Sequence, residues 1–188
     1  MWLSNLQIVL PDRVLERGSL FIEDGCIADV VAGPAPSAES AAVLNADSLI
    51  AIPGIVDLHG DMLEREIEPR PAARFPTDMA LLELDKRLAA AGVTTAFAAV
   101  GFWGYETNKK KMRSEERARE IVNTVNDMRD TLLADFYVHA RYEITTPSVA
   151  SALSELIAEG RVHLVSLMNH TPGQGQVEGR ELAVGEGQ

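Results

Sequence analysis

Residues 52–64, IPGIVDLHGDMLE, place a histidine between carboxylates at the end of an apolar run. Side chains alternate along a strand, so Asp57, His59 and Asp61 are predicted to share one face with Ile55. Three ionisable groups on one face of a buried strand are costly unless something compensates them. Because neutral imidazole and carboxylate both bind divalent metals, a metal ion is one compensation. Ordinary hydrogen bonds at a wet strand end are the alternative.

Ionisable residues also end two later apolar runs. FYVHARYEI (136–144) ends near Arg141 and Glu143, and RVHLVSLMNH (161–170) ends in His170. In a β/α barrel, functional groups lie at the carboxyl ends of the strands. A divalent metal there polarises a phosphoryl or carbonyl oxygen and lowers the pKa of bound water to about 7. The predicted ligands, a mixed nitrogen and oxygen set for one or two metals, are His59, Asp61, Glu143 and His170.

Two arginines and two further histidines complete the candidate residues. Arg70 and Arg141 are predicted phosphate contacts, because a guanidinium binds phosphate through two parallel hydrogen bonds. His139 and His163 are interpreted as hydrogen-bonded core residues, since a lone strand histidine is more often that than a ligand.

The type of secondary structure that the sequence predicts around these residues changes near residue 51. Short apolar runs separated by turns over 1–51 predict a small antiparallel β unit, the portion of a β-sandwich. Strand-like and helix-like segments then alternate, which predicts a parallel α/β sheet. Its strands are predicted over 52–58, 93–100, 137–144 and 162–168. The glycine-rich, acidic segment 177–188 is predicted to be a flexible tail.

Three helices are predicted between those strands. Thr77 and Ser114 are predicted to cap the first two, because a side-chain oxygen there can accept from a free backbone N–H. Thr146 and the proline after it open the third helix. The side chains predicted to point inward from that helix are Val149, Leu153, Leu156 and Ile157.

Composition excludes several classes of function. The 188 residues carry a net charge of −11, with 28 acidic against 17 basic residues, which argues against a nucleic-acid-binding surface. The single cysteine, Cys26, excludes an internal disulfide and suits a reducing cytoplasm. We find no signal peptide and no apolar stretch of membrane-spanning length, so a soluble cytoplasmic protein is expected.

PGIVDLHGD, which follows the small β unit, resembles the opening of the amidohydrolase superfamily. The usual motif there is His-x-His at the end of the first barrel strand, and Asp61 replaces the second histidine here. With EPRP, AAGVTT, RYE (141–143) and LVSLMNHTPGQ (164–174), the chain is similar to the diphosphatase branch that serves the carbon–phosphorus lyase pathway. The resemblance runs from residue 1 to about residue 176.

This resemblance implies the N-terminal half of a deformed (β/α) barrel over 52–176, beside the small β-sandwich. It implies a hydrolase that acts on a phosphoanhydride: water activated by metal attacks the α-phosphorus of a ribose 5-triphosphate, in a phosphonate-degradation intermediate, and pyrophosphate leaves. The implied cofactors are divalent metal ions, zinc first, with manganese or iron as alternatives. His59 and Asp61 match the first metal motif, Glu143 the bridging carboxylate and His170 a later metal histidine. Gln174, in the last block, joins the two arginines as an expected substrate contact.

The same resemblance sets expectations about partners. Four strands cannot close a barrel that usually has eight, and the family's remaining metal histidine and water-orienting aspartate match nothing here. The chain by itself is therefore expected not to be a competent catalyst. Its expected partners are a small phosphorylated substrate and either another copy or the C-terminal half of the same barrel. The alternatives are a hydrolase of cyclic amides or N-acyl groups, and a non-catalytic half-barrel that binds a ligand or partner chain.

Overall fold

The structure, a computed structural model, describes residues 1–36, 41–103 and 114–171. It contains two compact units, Met1–Gly54 and a second that begins at Ile55. Gln174 and the predicted tail lie outside the described residues, and the predicted limits at 51 and 176 stay predictions.

The first unit is a five-stranded sheet with a small core. Its strands are β1 (Trp2–Val9), β2 (Val14–Glu23), β3 (Cys26–Ala32), β4 (Val43–Asn45) and β5 (Ile50–Ala51). The meander β1-β2-β3 is antiparallel, as predicted, but β4 and β5 pair with β1 in parallel. The purely antiparallel prediction is therefore wrong for these two strands. The long connection after β3 lets the chain return in the direction of β1, which a tight hairpin could not do.

The second unit is built on a four-stranded parallel sheet. Its strands are β6 (Ile55–Gly60), β7 (Val93–Phe102), β8 (Asp135–Glu143) and β9 (Leu164–Met168), and they lie side by side in chain order. Every neighbouring pair is parallel, so the predicted sheet is confirmed.

The described residues of this unit also form four α-helices: α1 (Met62–Ile67), α2 (Thr77–Ala90), α3 (Glu115–Met128) and α4 (Ala150–Ala158). The helix-facing side of the sheet is apolar because alternate residues of β7 and β8 are small or aliphatic. A single core cluster joins Ala98 and Val138 of the strands to Leu81 of α2 and Ile121 of α3. Alternation therefore puts the polar residues of β8 on the opposite face. We call the face that carries His139, Arg141 and Glu143 the inner face.

Local capping agrees with the sequence in one helix and not in another. Ser114 accepts a hydrogen bond from the Arg117 amide, which confirms it as the N-cap of α3. Thr77 is instead the first residue of α2, after Pro76 at the N-cap, so its predicted capping role is wrong. Its hydroxyl is engaged elsewhere, donating to Glu120 Oε1 at 2.6 Å.

The buried stripe of α4 is narrower than predicted. Val149, Leu153 and Leu156 are buried, whereas Ile157 is 45% exposed. The buried core residues of this helix are Leu153 and Leu156, and Ile157 lies outside their stripe, so its predicted inward placement is wrong. None of the described helices is both long and apolar enough to span a bilayer.

Candidate active site

The end of β6 contains a bulge. Asp57 pairs with Ala96 of β7, and Gly60 pairs with Ala98, so three steps along β6 match two steps along β7. An extra residue in one strand bends it locally and resets the alternation of its side chains. The residues between Asp57 and Gly60 are thus freed from the regular two-residue repeat.

The bulge separates the ionisable residues of this stretch. Asp57 turns back on the main chain, where its Oδ1 accepts a hydrogen bond from the His59 amide at 3.0 Å. Asp61 lies beyond the strand, at the N-cap of α1, where its side chain makes no capping hydrogen bond. The predicted common face for Asp57, His59 and Asp61 is therefore wrong, because the bulge and the strand end intervene.

A pocket of about 410 Å³ opens on the inner face. It joins the ends of three strands, and it brings His59 and His170 together with Arg141. Its lining residues are His59, Arg141, Ser166, Leu167, Met168, Asn169 and His170. Among the described residues, the predicted site residues Asp61, Glu143 and Arg70 do not line it. Arg70 is exposed in a short bridge with Ala73 after α1.

Glu143 lies behind His170 and fixes it. Its side chain is 2% exposed. It accepts hydrogen bonds from the His170 amide at 3.2 and 3.3 Å, and from the Thr145 hydroxyl at 2.9 Å. His170 Nδ1 lies 2.6 Å from Glu143 Oε2. If Nδ1 donates to the carboxylate, the Nε2 lone pair of a neutral His170 stays open for a ligand.

The carboxylate of Glu143 is kept ionised by these contacts. Burial acts to raise its pKa, but the hydrogen bonds from His170 and Thr145 outweigh burial and leave the pKa below its usual value. The Trp103 ring packs against His170 with the ring centres 4.4 Å apart. His170 is therefore held from two sides at the edge of the pocket.

Arg141 carries an unsatisfied positive charge into the pocket. Its Nε and Nη1 atoms are buried and have no hydrogen-bond partner among the described residues. The described part of the chain also contains no carboxylate in ion-pair contact with it. A buried guanidinium without an acceptor is costly, and an anion that offers several oxygen acceptors would relieve that cost.

His139 is a hydrogen-bonded core residue, as predicted, but its contact with the strand end that carries His59 was not predicted. It is 5% exposed, and its Nδ1 lies 3.0 Å from the Leu58 carbonyl oxygen. Its ring meets the His59 ring edge to face, with the centres 4.9 Å apart. Burial lowers its pKa; the hydrogen bond to Leu58 opposes this shift, and the charges of His59 and Arg141 add to it. The partner is 81 residues away, so no local sequence signal could have found the contact.

His163 is hydrogen-bonded, as predicted, but it is exposed, so its predicted place in the core is wrong. Its Nδ1 accepts a hydrogen bond from the Val138 amide at 3.1 Å, and its ring packs edge to face on Tyr137. Burial lowers its pKa, and the positive charge of Arg129 lowers it further.

The donors at this site suit a divalent metal in type, although they are not assembled as a complete shell. Among the described residues, no group of three or more His, Cys, Asp or Glu side chains is arranged to hold an ion. Two imidazoles, of His59 and His170, nevertheless line one pocket. A carboxylate that fixes the far nitrogen of a histidine, as Glu143 does for His170, is a common support for metal-binding histidines. The residues present therefore fit such an ion.

The chain is similar to a curated protein in sequence and to solved structures in fold. No protein-family profile matches the chain. It is 27% identical over 183 residues to alpha-D-ribose 1-methylphosphonate 5-triphosphate diphosphatase from Escherichia coli (strain K12). That match covers 96% of this chain and 47% of the relative, so the chain spans about half of the relative's length.

A solved structure with a similar fold identifies the architecture. It is the crystal structure of 5-methylcytosine deaminase from Klebsiella pneumoniae liganded with 5-fluorocytosine, at a TM-score of 0.55 and 18% identity. The superposition covers 86% of this chain and 42% of the deaminase. The fold is of the amidohydrolase type. This confirms the α/β class, the partial barrel and the small N-terminal sheet, and the sequence relative agrees with the predicted resemblance to the diphosphatases.

Proposed function

We propose that this amidohydrolase-type half-barrel forms part of a metal-dependent diphosphatase. The substrate is the ribose 5-triphosphate of a phosphonate-degradation intermediate. Water adds to the α-phosphorus, the bond from that phosphorus to the oxygen bridging to the β-phosphorus breaks, and pyrophosphate leaves. The reaction takes place in the cytoplasm, and the site is completed by the C-terminal half of the same barrel or by another copy.

Two facts support this proposal. The similarity to a diphosphatase extends over nearly the whole chain. The single observation that carries it is the unpartnered guanidinium of Arg141 in the inner pocket, beside two histidines. A pocket for a neutral cyclic amide has no need of such a cation, whereas a triphosphate supplies the acceptors that Arg141 lacks.

Four residues in and behind the pocket have a task in this proposal. Arg141 binds phosphoryl oxygens through its two buried N–H groups and fixes the chain of phosphates across the pocket. Glu143 holds His170 so that its Nε2 faces the ligand, and the β6 bulge presents His59 from the opposite side. A divalent ion held by the histidines would supply Lewis-acid polarisation of a phosphoryl oxygen and a more acidic water.

The first experiment measures anion binding at Arg141. Trp103 packs on His170, so its fluorescence reports on the pocket. The purified chain is titrated with inorganic tripolyphosphate and, separately, with cytosine. Loss of one hydrogen bond to a charged group costs about 1.5–3 kcal/mol. We therefore expect Arg141→Met to weaken tripolyphosphate binding by at least about 10-fold, and Arg141→Lys, which keeps the charge but loses the paired geometry, to lie between the two.

The matched control is Arg161→Met, because Arg161 has its own acidic partners in Asp127 and Glu159. That variant should bind tripolyphosphate as the wild type does. Phosphorus NMR then follows pyrophosphate release from a ribose 5-triphosphate, by the chain alone and with the C-terminal half of the relative added. Tripolyphosphate binding that is unaffected by Arg141→Met, or ammonia release from cytosine without any pyrophosphate release, would refute the proposal.

A further inference from the structure

The bulge of β6 needs a restraint, because it carries His59 outside the regular ladder. Between Asp57 and Gly60 the pairing with β7 loses its register. His59 itself is exposed, so packing alone does not fix its ring. A histidine that binds a ligand must be held in one orientation, since a small displacement of a ligating atom weakens the site.

His139 reaches this bulge from two strands away. On β8 it is paired with Ala99 of β7, whose small side chain is buried and leaves room above it. The imidazole crosses that alanine and places Nδ1 3.0 Å from the carbonyl oxygen of Leu58, the residue just before His59. Since a carbonyl oxygen only accepts, Nδ1 carries the hydrogen.

The His139 ring also touches the His59 ring. The two rings meet edge to face at 4.9 Å between centres. One side chain therefore restrains both the backbone of the bulge and the imidazole that the bulge presents. The remaining nitrogen of His139, Nε2, is buried and has no hydrogen-bond partner among the described residues.

We propose that His139 is a positioning residue for His59. It acts through the hydrogen bond from Nδ1 to the Leu58 carbonyl and through the ring contact. The proposal rests on the proposed function in one respect, which is that His59 contacts the bound metal. A residue that orients a metal-binding histidine commonly changes metal affinity by about 10–100-fold when it is replaced.

Two variants of similar size separate the hydrogen bond from simple space filling. His139→Asn puts an amide N–H close to the position of Nδ1, so it can still donate to Leu58. His139→Leu fills much the same volume without a donor. His163→Leu is the control, because the ring of His163 also forms a hydrogen bond with β8, at the Val138 amide, but packs on Tyr137 instead of His59.

The first readout needs no metal. Long-range proton–nitrogen NMR spectra of the ring nitrogens are recorded, with the His59 signals assigned by a His59→Gln variant. We expect His139 to show the Nδ1–H tautomer. We expect His139→Leu to shift or split the His59 signals, His139→Asn to keep a single set, and His163→Leu to leave them unchanged.

The second readout is zinc affinity, measured by competition with a chromophoric chelator on variants whose folding is checked by circular dichroism. We expect His139→Leu to weaken zinc binding about 10–100-fold and His139→Asn to recover most of that loss. Wild-type His59 signals and zinc affinity in a folded His139→Leu variant would overturn the inference. So would an equal zinc affinity loss in the Asn and Leu variants. A wild-type chain that binds neither zinc nor tripolyphosphate, yet whose His59 spectrum still depends on His139, would instead refute the proposed function alone.

Discussion

Replacing Glu143 by alanine tests the hydrogen-bond cluster that holds His170. The carboxylate is 2% exposed, and three donors point at it: the amide and Nδ1 of His170 and the hydroxyl of Thr145. In the Glu143→Ala variant these donors lose their acceptor. The perturbation is therefore a loss of polar contacts in a buried place, together with a small cavity.

The expected magnitude follows from this geometry. A buried donor left without its acceptor costs about 1–3 kcal/mol, so the three donors together cost about 3–9 kcal/mol when none of them has access to water. The His170 side chain is 27% exposed, so water can satisfy part of it and the cost falls to the lower limit. We expect Glu143→Ala to lower the free energy of unfolding by about 3 kcal/mol. Glu143→Gln, which keeps an acceptor oxygen, should lower it by about 1–2 kcal/mol.

The assay is urea unfolding in the presence of a metal chelator, so that loss of an ion is not counted. In a Trp2→Phe background the fluorescence of Trp103, which packs on His170, reports on the second unit alone. With a urea dependence of about 2 kcal/mol per molar, a loss of 3 kcal/mol lowers the midpoint by about 1.5 M. Glu155→Ala is the control, because its exposed ion pair with Arg119 should contribute only about 0–1 kcal/mol.

If Glu143→Ala and Glu155→Ala lower the free energy of unfolding by the same amount, within about 0.5 kcal/mol, the reasoning is refuted. Equal losses would mean that the cluster behind His170 contributes no more than a surface ion pair. The stability of Glu143→Gln must also lie between those of the wild type and Glu143→Ala. If the glutamine variant were the least stable, the roles assigned to the charge and to the acceptor oxygen would be wrong.

Three further predictions concern stability. Burial lowers the pKa of His163 from 6.5, so the neutral side chain contributes stability above pH 6.5, and this contribution should be lost as the pH falls below 6.5. The urea midpoint of the metal-free protein should therefore decline from pH 7 to pH 5, and the decline should be smaller in His163→Leu. Ser114→Ala should lower the free energy of unfolding by about 1 kcal/mol, and Ser114→Asp should retain it; equal midpoints for all three proteins would contradict the capping role. Asp85 is buried and accepts from the amides of Leu133 and Ala134, so Asp85→Ala should cost about 3 kcal/mol by urea unfolding, and a cost below 1 kcal/mol would contradict those bonds.

The parallel sheet was predictable because its determinants are local. Apolar runs of strand length alternate with amphipathic helices, and the Ser114 cap follows from one residue and its neighbours in the chain. Thr77 shows where this reasoning fails. The Thr77 hydroxyl can form a hydrogen bond either at the start of its own helix or with Glu120 of another helix. The packing of the two helices determines which bond forms.

The candidate site was predictable in part for the same reason. His59, Arg141 and His170 stand near strand ends in the sequence, and the structure brings them to one pocket. The bulge that removes Asp57 from their face depends on how β6 aligns with β7, which is a property of two strands and not of one. The contact of His139 with Leu58 depends on a third strand, so the local sequence cannot predict it.

The strands of the second sheet lie in the same order in space as in the chain, and this has a consequence for biosynthesis. Because β6, β7, β8 and β9 lie side by side in the order in which a ribosome makes them, each new strand can pair with one already present. The sheet can thus grow from its N-terminal edge during translation, without waiting for a distant segment. At every stage the youngest strand offers an open row of N–H and C=O groups, which templates the next strand and exposes the nascent chain to mispairing with a neighbour.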